Sequence, residues 1–174
     1  MRLCKKERTT KTKNYQNSPP SGELEGAFIL MAHTYLSLGT NLGDKKTNLE
    51  RAISLISAEV GKIVSISSFY QSAPWGFESE NDFLNAVILV ETQFPPLELH
   101  AKTQEIEKKM GRTAKSTASY SDRIIDIDII LYDDLTVDTP ELKIPHPLWQ
   151  ERDFVRIPLE EIGFERKNTQ NVFS

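Results

Sequence analysis

Arg123-Ile124-Ile125-Asp126-Ile127-Asp128-Ile129-Ile130-Leu131-Tyr132 is the most informative stretch of this 174-residue chain. Ile and Leu dominate it, and only Arg123, Asp126 and Asp128 carry charge, which is the composition of a strand enclosed by a core. Residues two apart on a strand share a face, so the carboxylates of Asp126 and Asp128 project to the same side with α-carbons about 6.5 Å apart. Arg123 is read onto the same strand. Two like charges that close, flanked by apolar residues, repel unless a cation offsets them. Magnesium, which binds through one or two carboxylates and keeps waters and ligand phosphates, meets that need. An acidic, solvent-facing strand face is the other reading of the spacing.

Working outward, the strand over 124–132 is the last of six major elements. Thr34 to Leu38 reads as a first strand, and Leu49, Ile53, Ile56 and Val60 recur at helical spacing over 47–59. Ile63 to Tyr70 reads as a second strand of uncertain register. Phe83 to Val90, mostly apolar, reads as a third and central strand. Pro95-Pro96 suits a helix start, with Leu99, Thr103, Ile106 and Met110 as its buried stripe and Gly111 as its end. The order β-α-β-β-α-β predicts an α+β, ferredoxin-like sandwich, two helices packed on one face of an antiparallel sheet. Beyond it come a short extended piece near 136–138, the loop Ile144-Pro145-His146-Pro147, a helical turn before Phe154 and a last strand-like stretch to Ile157.

The length suits one domain. Residues 1–30 are rich in charge, Asn, Ser and Pro with almost no apolar periodicity, and are expected to be a disordered extension before a single domain over 31–174. The first 13 residues carry six cations against Glu7 alone, a net of +5, so the rest carries −9 of the overall −4. A body that acidic has no general attraction for nucleic acid. Cys4 is the single cysteine, which excludes an intramolecular disulfide or a thiolate cluster. No stretch approaches the roughly 20 apolar residues of a membrane span, and the basic start lacks a clear apolar face. A cytoplasmic monomer is expected.

Several other positions bear chemistry. Arg112 and Arg123 stand at the two bases of a Ser/Thr-rich segment, 112–122, expected to be a flexible loop; their guanidinium forks suit phosphate oxygens beside a dicarboxylate-metal centre. Gly39-Thr40-Asn41-Leu42-Gly43 lacks the Lys-Ser/Thr of a P-loop, so it is either a phosphate cradle or a strand-to-helix turn needing positive φ. Asn85, inside an apolar strand, must be hydrogen-bonded, and a ligand with a matching donor-acceptor edge is one candidate partner. Trp75, Phe83, Tyr70 and Phe154 are stacking surfaces or core. His146 sits between two prolines, and three histidines make no zinc site.

The 123–132 run resembles the signature of the 6-hydroxymethyl-7,8-dihydropterin pyrophosphokinases (HPPK). Three further stretches agree in order: Leu38-Gly39-Thr40-Asn41-Leu42-Gly43, Ser67-Ser68-Phe69-Tyr70-Gln71-Ser72-Ala73-Pro74-Trp75-Gly76 and Ile144-Pro145-His146-Pro147. The likeness covers about residues 34–162. It implies transfer of diphosphate from ATP to the pterin hydroxymethyl group, with AMP leaving. By resemblance, Asp126 and Asp128 match the aspartates that hold two Mg²⁺ ions, and Arg112 and Arg123 match arginines on the transferring phosphates. Gln104, Glu107, Ile129, His146 and Arg152 match the ATP site. Ser72, Ala73, Trp75, Phe83, Asn85 and Phe154 match the pterin pocket, with Asn85 reading the ring edge and Phe83 and Phe154 sandwiching it. Where the family carries a second loop arginine this chain has Thr113-Ala114-Lys115, and Lys115 is expected at the ATP phosphates as a point charge without a bidentate fork. The family's arginine-aromatic-glycine-proline approach to the arginine matched by Arg123 is replaced by Ala118-Ser119-Tyr120-Ser121-Asp122.

Overall fold

The computed structural model describes residues 31–112 and 121–164, and the elements run β1 (Ala32–Thr40), α1 (Lys45–Glu59), β2 (Gly61–Ile66), β3 (Tyr70–Ser72), β4 (Phe83–Thr92), α2 (Pro96–Lys109), β5 (Asp126–Tyr132), β6 (Val137–Asp138), β7 (Lys143–Ile144) and α3 (Asp153–Glu161). The expected extension at 1–30, Lys115 and the tail beyond 164 lie outside the described residues. Every pairing is antiparallel and the sheet order is β2-β4-β1-β5, with β3 also on β4. This is the ferredoxin-like order expected from the sequence. No helix among the described residues is long and apolar enough to cross a membrane.

Alternation along the strands separates two faces. Leu36, Leu38, Ala86, Ile88, Val90, Ile127 and Ile129 form the main core with Leu49, Ala52, Ile56, Leu99 and Ile106 of α1 and α2. Asp44 caps α1, its carboxylate accepting from the Thr47 N–H at 3.1 Å, and Gly43 at φ 64° makes the turn into it. The Gly39–Gly43 segment is therefore the strand-to-helix turn, with Gly39 and Thr40 still in β1. Pro95 is the N-cap of α2 and Pro96 its first residue, as the missing N–H groups allow.

Three sequence expectations change. The stretch toward Ile157 is helix, not strand: Val155, Leu159 and Ile162 recur at helical spacing and pack with Val87, Ile130 and Trp149 on the sheet face opposite α1 and α2. Glu161 ties this third helix down, accepting from the Ser68 N–H at 2.9 Å and hydroxyl at 2.6 Å. The predicted second strand is two, because Ser67 turns its hydroxyl inward to accept from Val87 N–H at 3.0 Å between β2 and β3. Finally, β5 begins at Asp126, so Arg123 precedes the strand instead of lying on it.

The pairing of β1 with β5 jumps from Tyr35/Leu131 to Leu36/Ile129, leaving Ile130 as a bulge. Its carbonyl accepts from the His146 N–H at 3.0 Å, which pins the 144–147 loop along the outer edge of β5. The cis bond before Pro145 belongs to that loop.

Candidate active site

The sheet face opposite α1 and α2 carries the site. Asp126, Gly39, Asn85 and Tyr70 are paired across four strands in one row, and Asp128, Ser37 and Val87 form the next. Gly39 is the floor between carboxylate and amide: a Cβ there would lie 3.0 Å from Asn85 Oδ1 and 3.7 Å from the Phe83 ring. One cleft is lined by Ser72, Ala73, Trp75, Phe83, Asn85, Arg123, Asp126, Asp128, Arg152 and Phe154, all singled out from the sequence. Ser37, Gly39, Phe77 and Val155 line it as well. Ser37 is not singled out by the sequence, and Gly39 stands out there only as part of the turn or phosphate cradle, because a small residue marks a floor only once its cross-strand neighbours are known.

Asn85 is 2 % exposed and donates both amide hydrogens inward, to the Tyr70 carbonyl and the Ser72 hydroxyl, each at 3.0 Å. Its oxygen is thus the group it can offer a ligand. The Phe83 ring meets Phe77 edge-on at 6.1 Å, and the Arg123 guanidinium lies over its face at 5.4 Å. Arg152, 7 % exposed, stacks on Trp75 at 4.5 Å and lies 6.0 Å from the Phe154 ring.

Asp126 is gripped from both sides. Arg123 reaches Oδ2 at 2.9 Å, and Arg112 hydrogen-bonds Oδ1. Arg112 is held in turn by Glu107 Oε1 at 2.8 Å and the Ile125 carbonyl at 3.3 Å. Burial pulls the Arg112 guanidinium down, but the charges of Asp126 and Glu107 outweigh it and hold it above its usual value. The arginines therefore supply the compensation that the paired aspartates demanded. No cluster of three or more His, Cys, Asp or Glu side chains able to hold a metal occurs among the described residues. Two carboxylates and a hydroxyl on one face are hard oxygen donors of the kind Mg²⁺ takes, with the remaining positions left to water and phosphate.

Five of the described residues selected from the sequence do not line the cleft: Arg112, which meets it only through its bond to Asp126, and the four that follow. Glu107 is 2 % exposed and its Oε1 also accepts from the Ile127 N–H at 2.8 Å, so it covers the outer edge of β5. Gln104 bonds His100 at 2.9 Å on α2. The Ile129 side chain is in the main core. The His146 ring accepts at Nδ1 from the Leu148 N–H at 3.3 Å, which places the proton of the neutral ring on Nε2. Tyr70, a possible stacking surface, contributes its carbonyl instead.

Burial, then the positive charge of Arg152, push the His146 pKa from the usual 6.5 down to about 4, against a smaller upward pull from Asp126. The unfolded chain therefore binds this proton first as pH falls. His146 contributes its stability fully above pH 6.5 and loses it on the way down through 4. Urea unfolding from pH 7 to 4 should show wild type losing more stability than His146→Gln, and a His146 NMR titration midpoint near 6.5 would contradict this.

A family model described as 7,8-dihydro-6-hydroxymethylpterin-pyrophosphokinase (HPPK) matches residues 35–164. A Porphyromonas gingivalis 2-amino-4-hydroxy-6-hydroxymethyldihydropteridine pyrophosphokinase is 46% identical over 135 residues, 76% of this chain and 92% of that protein. The Aquifex aeolicus protein of the same name is 43% identical over 132 residues, 76% and 81% of the two chains. The fold is similar to that of Plasmodium falciparum HPPK-DHPS with pteroate, at a TM-score of 0.66 and 17% identity over 82% of this chain. This chain spans 43% of that longer protein, and the likeness speaks for the fold alone. With a match over 35–164 and identities above 40% across most of two relatives, the chain belongs to the 7,8-dihydro-6-hydroxymethylpterin-pyrophosphokinase family.

Proposed function

We propose how this chain divides the labour of its reaction, the transfer of diphosphate from ATP to the hydroxymethyl group of 6-hydroxymethyl-7,8-dihydropterin in folate biosynthesis. The observation that carries the proposal is the row Asp126-Gly39-Asn85, which sets a carboxylate site and an amide-floored aromatic pocket side by side in one cleft. A nucleotide sensor needs only the first of these.

Asn85 Oδ1 accepts from the pterin edge, Phe83 and Phe154 enclose the ring, and Ser72, Ala73 and Trp75 form the rest of its wall. Asp126 and Asp128 would hold two Mg²⁺ ions, which supply charge neutralisation and alignment of the phosphates. Arg112 and Arg123 turn their forks to the phosphates as negative charge builds there. Arg152, Gln104, His146 and Lys115 serve the nucleotide. Ile127 aims its N–H at Glu107, away from β1, so Ile129 two residues on faces the same edge and meets the nucleotide through its main chain. The hydroxymethyl oxygen attacks the β-phosphorus, giving up its proton to solvent, and AMP departs with the bridging oxygen, so positioning and electrostatics carry the rate without a covalent enzyme intermediate. A monomer suffices, since one chain supplies every residue named, and 31–164 contains the catalytic unit apart from the segment bearing Lys115.

Purified protein given Mg²⁺, ATP and the pterin alcohol should release AMP and pterin diphosphate in equal amounts. Formation of ADP, or nucleotide turnover indifferent to pterin, would contradict this reading. Asn85→Ala should raise the pterin KM by about tenfold or more, the scale for a buried hydrogen bond left unmade, with the ATP KM moving less than about twofold. Equal changes in both would place Asn85 elsewhere.

A further inference from the structure

Asp122 is exposed, yet its carboxylate is drawn into the molecule. Its Oδ1 accepts from Asn41 Nδ2 at 2.7 Å and its Oδ2 from Asn81 Nδ2 at 3.1 Å, and the Ser79 hydroxyl donates to it too. These hydrogen bonds, Ser79's and Asn41's foremost, hold its pKa below the ordinary Asp value. Ser79 shapes the turn by accepting from the Asn81 N–H at 3.1 Å. Asn41, 2 % exposed, accepts from the Arg123 N–H at 2.8 Å and donates its own N–H to the Arg123 carbonyl at 3.1 Å. Its amide also approaches the Asn81 carbonyl at 3.4 Å.

Three chain segments thus meet at one carboxylate. The 73–82 segment carries Ala73, Trp75 and Phe77 of the cleft, the turn after β1 carries Asn41, and residues 121–125 carry Arg123, whose side chain grips Asp126. Asp122 is the immediate neighbour of Arg123 and stands where the resemblance leads one to expect proline, a residue with no side chain able to accept these bonds.

We propose that Asp122 is a positioning residue for the diphosphate transfer: through Asn41 and Asn81 it clasps the pterin-side wall of the cleft to the segment that carries Arg123, so that both walls are placed together. This rests on the pyrophosphokinase reading above. The clasp bears on pterin binding because Asn81 leads directly into Phe83, and on turnover through Arg123, while Gln104 on α2 and His146 in the 144–147 loop stand outside the three clasped segments.

The test compares wild type, Asp122→Ala, Asn81→Ala, the double alanine variant, Asp122→Asn, and the reversed pair Asn81→Asp/Asp122→Asn, which exchanges donor and acceptor. Each alanine variant should raise the pterin KM by about tenfold, the scale for losing a charge-assisted hydrogen bond, with the ATP KM within about twofold. The double variant should be no worse than either single one, as for two members of one network. The reversed pair should return the pterin KM to within about threefold of wild type, and Asp122→Asn alone should not. Hydrogen exchange of residues 76–81 should be faster in Asp122→Ala and recover in the reversed pair, a readout independent of turnover. Additive effects, equal shifts in both KM values, no rescue, or unchanged exchange would overturn the clasp. If wild type itself shows no pterin-dependent AMP release, the functional reading fails and the exchange data alone decide the clasp.

Discussion

Replacing Asp126 or Asp128 by alanine lowers turnover at least about a hundredfold, the scale seen when one strong electrostatic contributor to a transition state is removed. The two aspartates share a face in successive rows of the β1–β5 ladder, opposite Gly39 and Ser37. They are the two carboxylates of the cleft lining, so on the proposed reading each loss would remove a hard oxygen ligand of the divalent ions. Saturating Mg²⁺ should recover little, because a weakened site also misplaces the phosphates. The variants should differ in stability. Asp126 is the shared partner of Arg112 and Arg123, whose side chains are 12% and 15% exposed. Asp126→Ala leaves both guanidinium groups in a mostly buried place without that anion, a loss on the order of 3 kcal/mol. Asp126→Asn, which preserves shape, separates charge from packing. Near-wild-type turnover of either alanine variant at saturating Mg²⁺ would show that the metal-phosphate site lies elsewhere.

Glu107→Ala should cost about 3–5 kcal/mol of folding stability, the range for removing one partner of a buried ion pair. The Glu107 side chain is 3% exposed, and its Oε1 accepts at 2.8 Å from both Arg112 and the Ile127 N–H. The first bond holds the guanidinium that in turn grips Asp126 of the cleft, and the second satisfies a main-chain donor on the outer edge of β5. Alanine leaves both unmade and opens a cavity between α2 and β5. Chemical denaturation gives the stability directly. At temperatures where the variant stays folded its kcat should also fall, because Arg112 keeps Asp126 but loses its anchor. A Glu107→Ala protein as stable as wild type would show that the buried carboxylate is protonated or otherwise dispensable.

Much of this was readable from sequence, for identifiable reasons. The apolar run broken only by Asp126 and Asp128 demands both a strand and a compensating cation, and the structure gives the strand and two arginines. Helical spacing of Leu49, Ile53 and Ile56, and of Leu99, Thr103 and Ile106, marks α1 and α2 because both exceed three turns. In α3, nine residues with β-branched Val155 and Ile157 are too few for periodicity to outweigh strand propensity, and the helix is settled by packing on the second sheet face. The bulge at Ile130 and the row from Asp126 to Tyr70 are properties of pairing between distant segments, invisible along one chain. The sequence marks Asn41 only as part of a turn or phosphate cradle, since its importance lies in two bonds to the main chain of a residue 82 positions away. The resemblance places Glu107 at the nucleotide, while its burial and its hold on Arg112 are tertiary facts.

The most direct test of the arrangement is a crystal structure of the protein with Mg²⁺, 6-hydroxymethyl-7,8-dihydropterin and α,β-methylene-ATP, in which the bond to be broken cannot cleave. The pterin edge should lie on Asn85 Oδ1, the ring between Phe83 and Phe154, and the metal-bound β- and γ-phosphates at Asp126 and Asp128 with the hydroxymethyl oxygen facing the β-phosphorus. A pterin bound away from Asn85, or phosphates held without either aspartate, would contradict it.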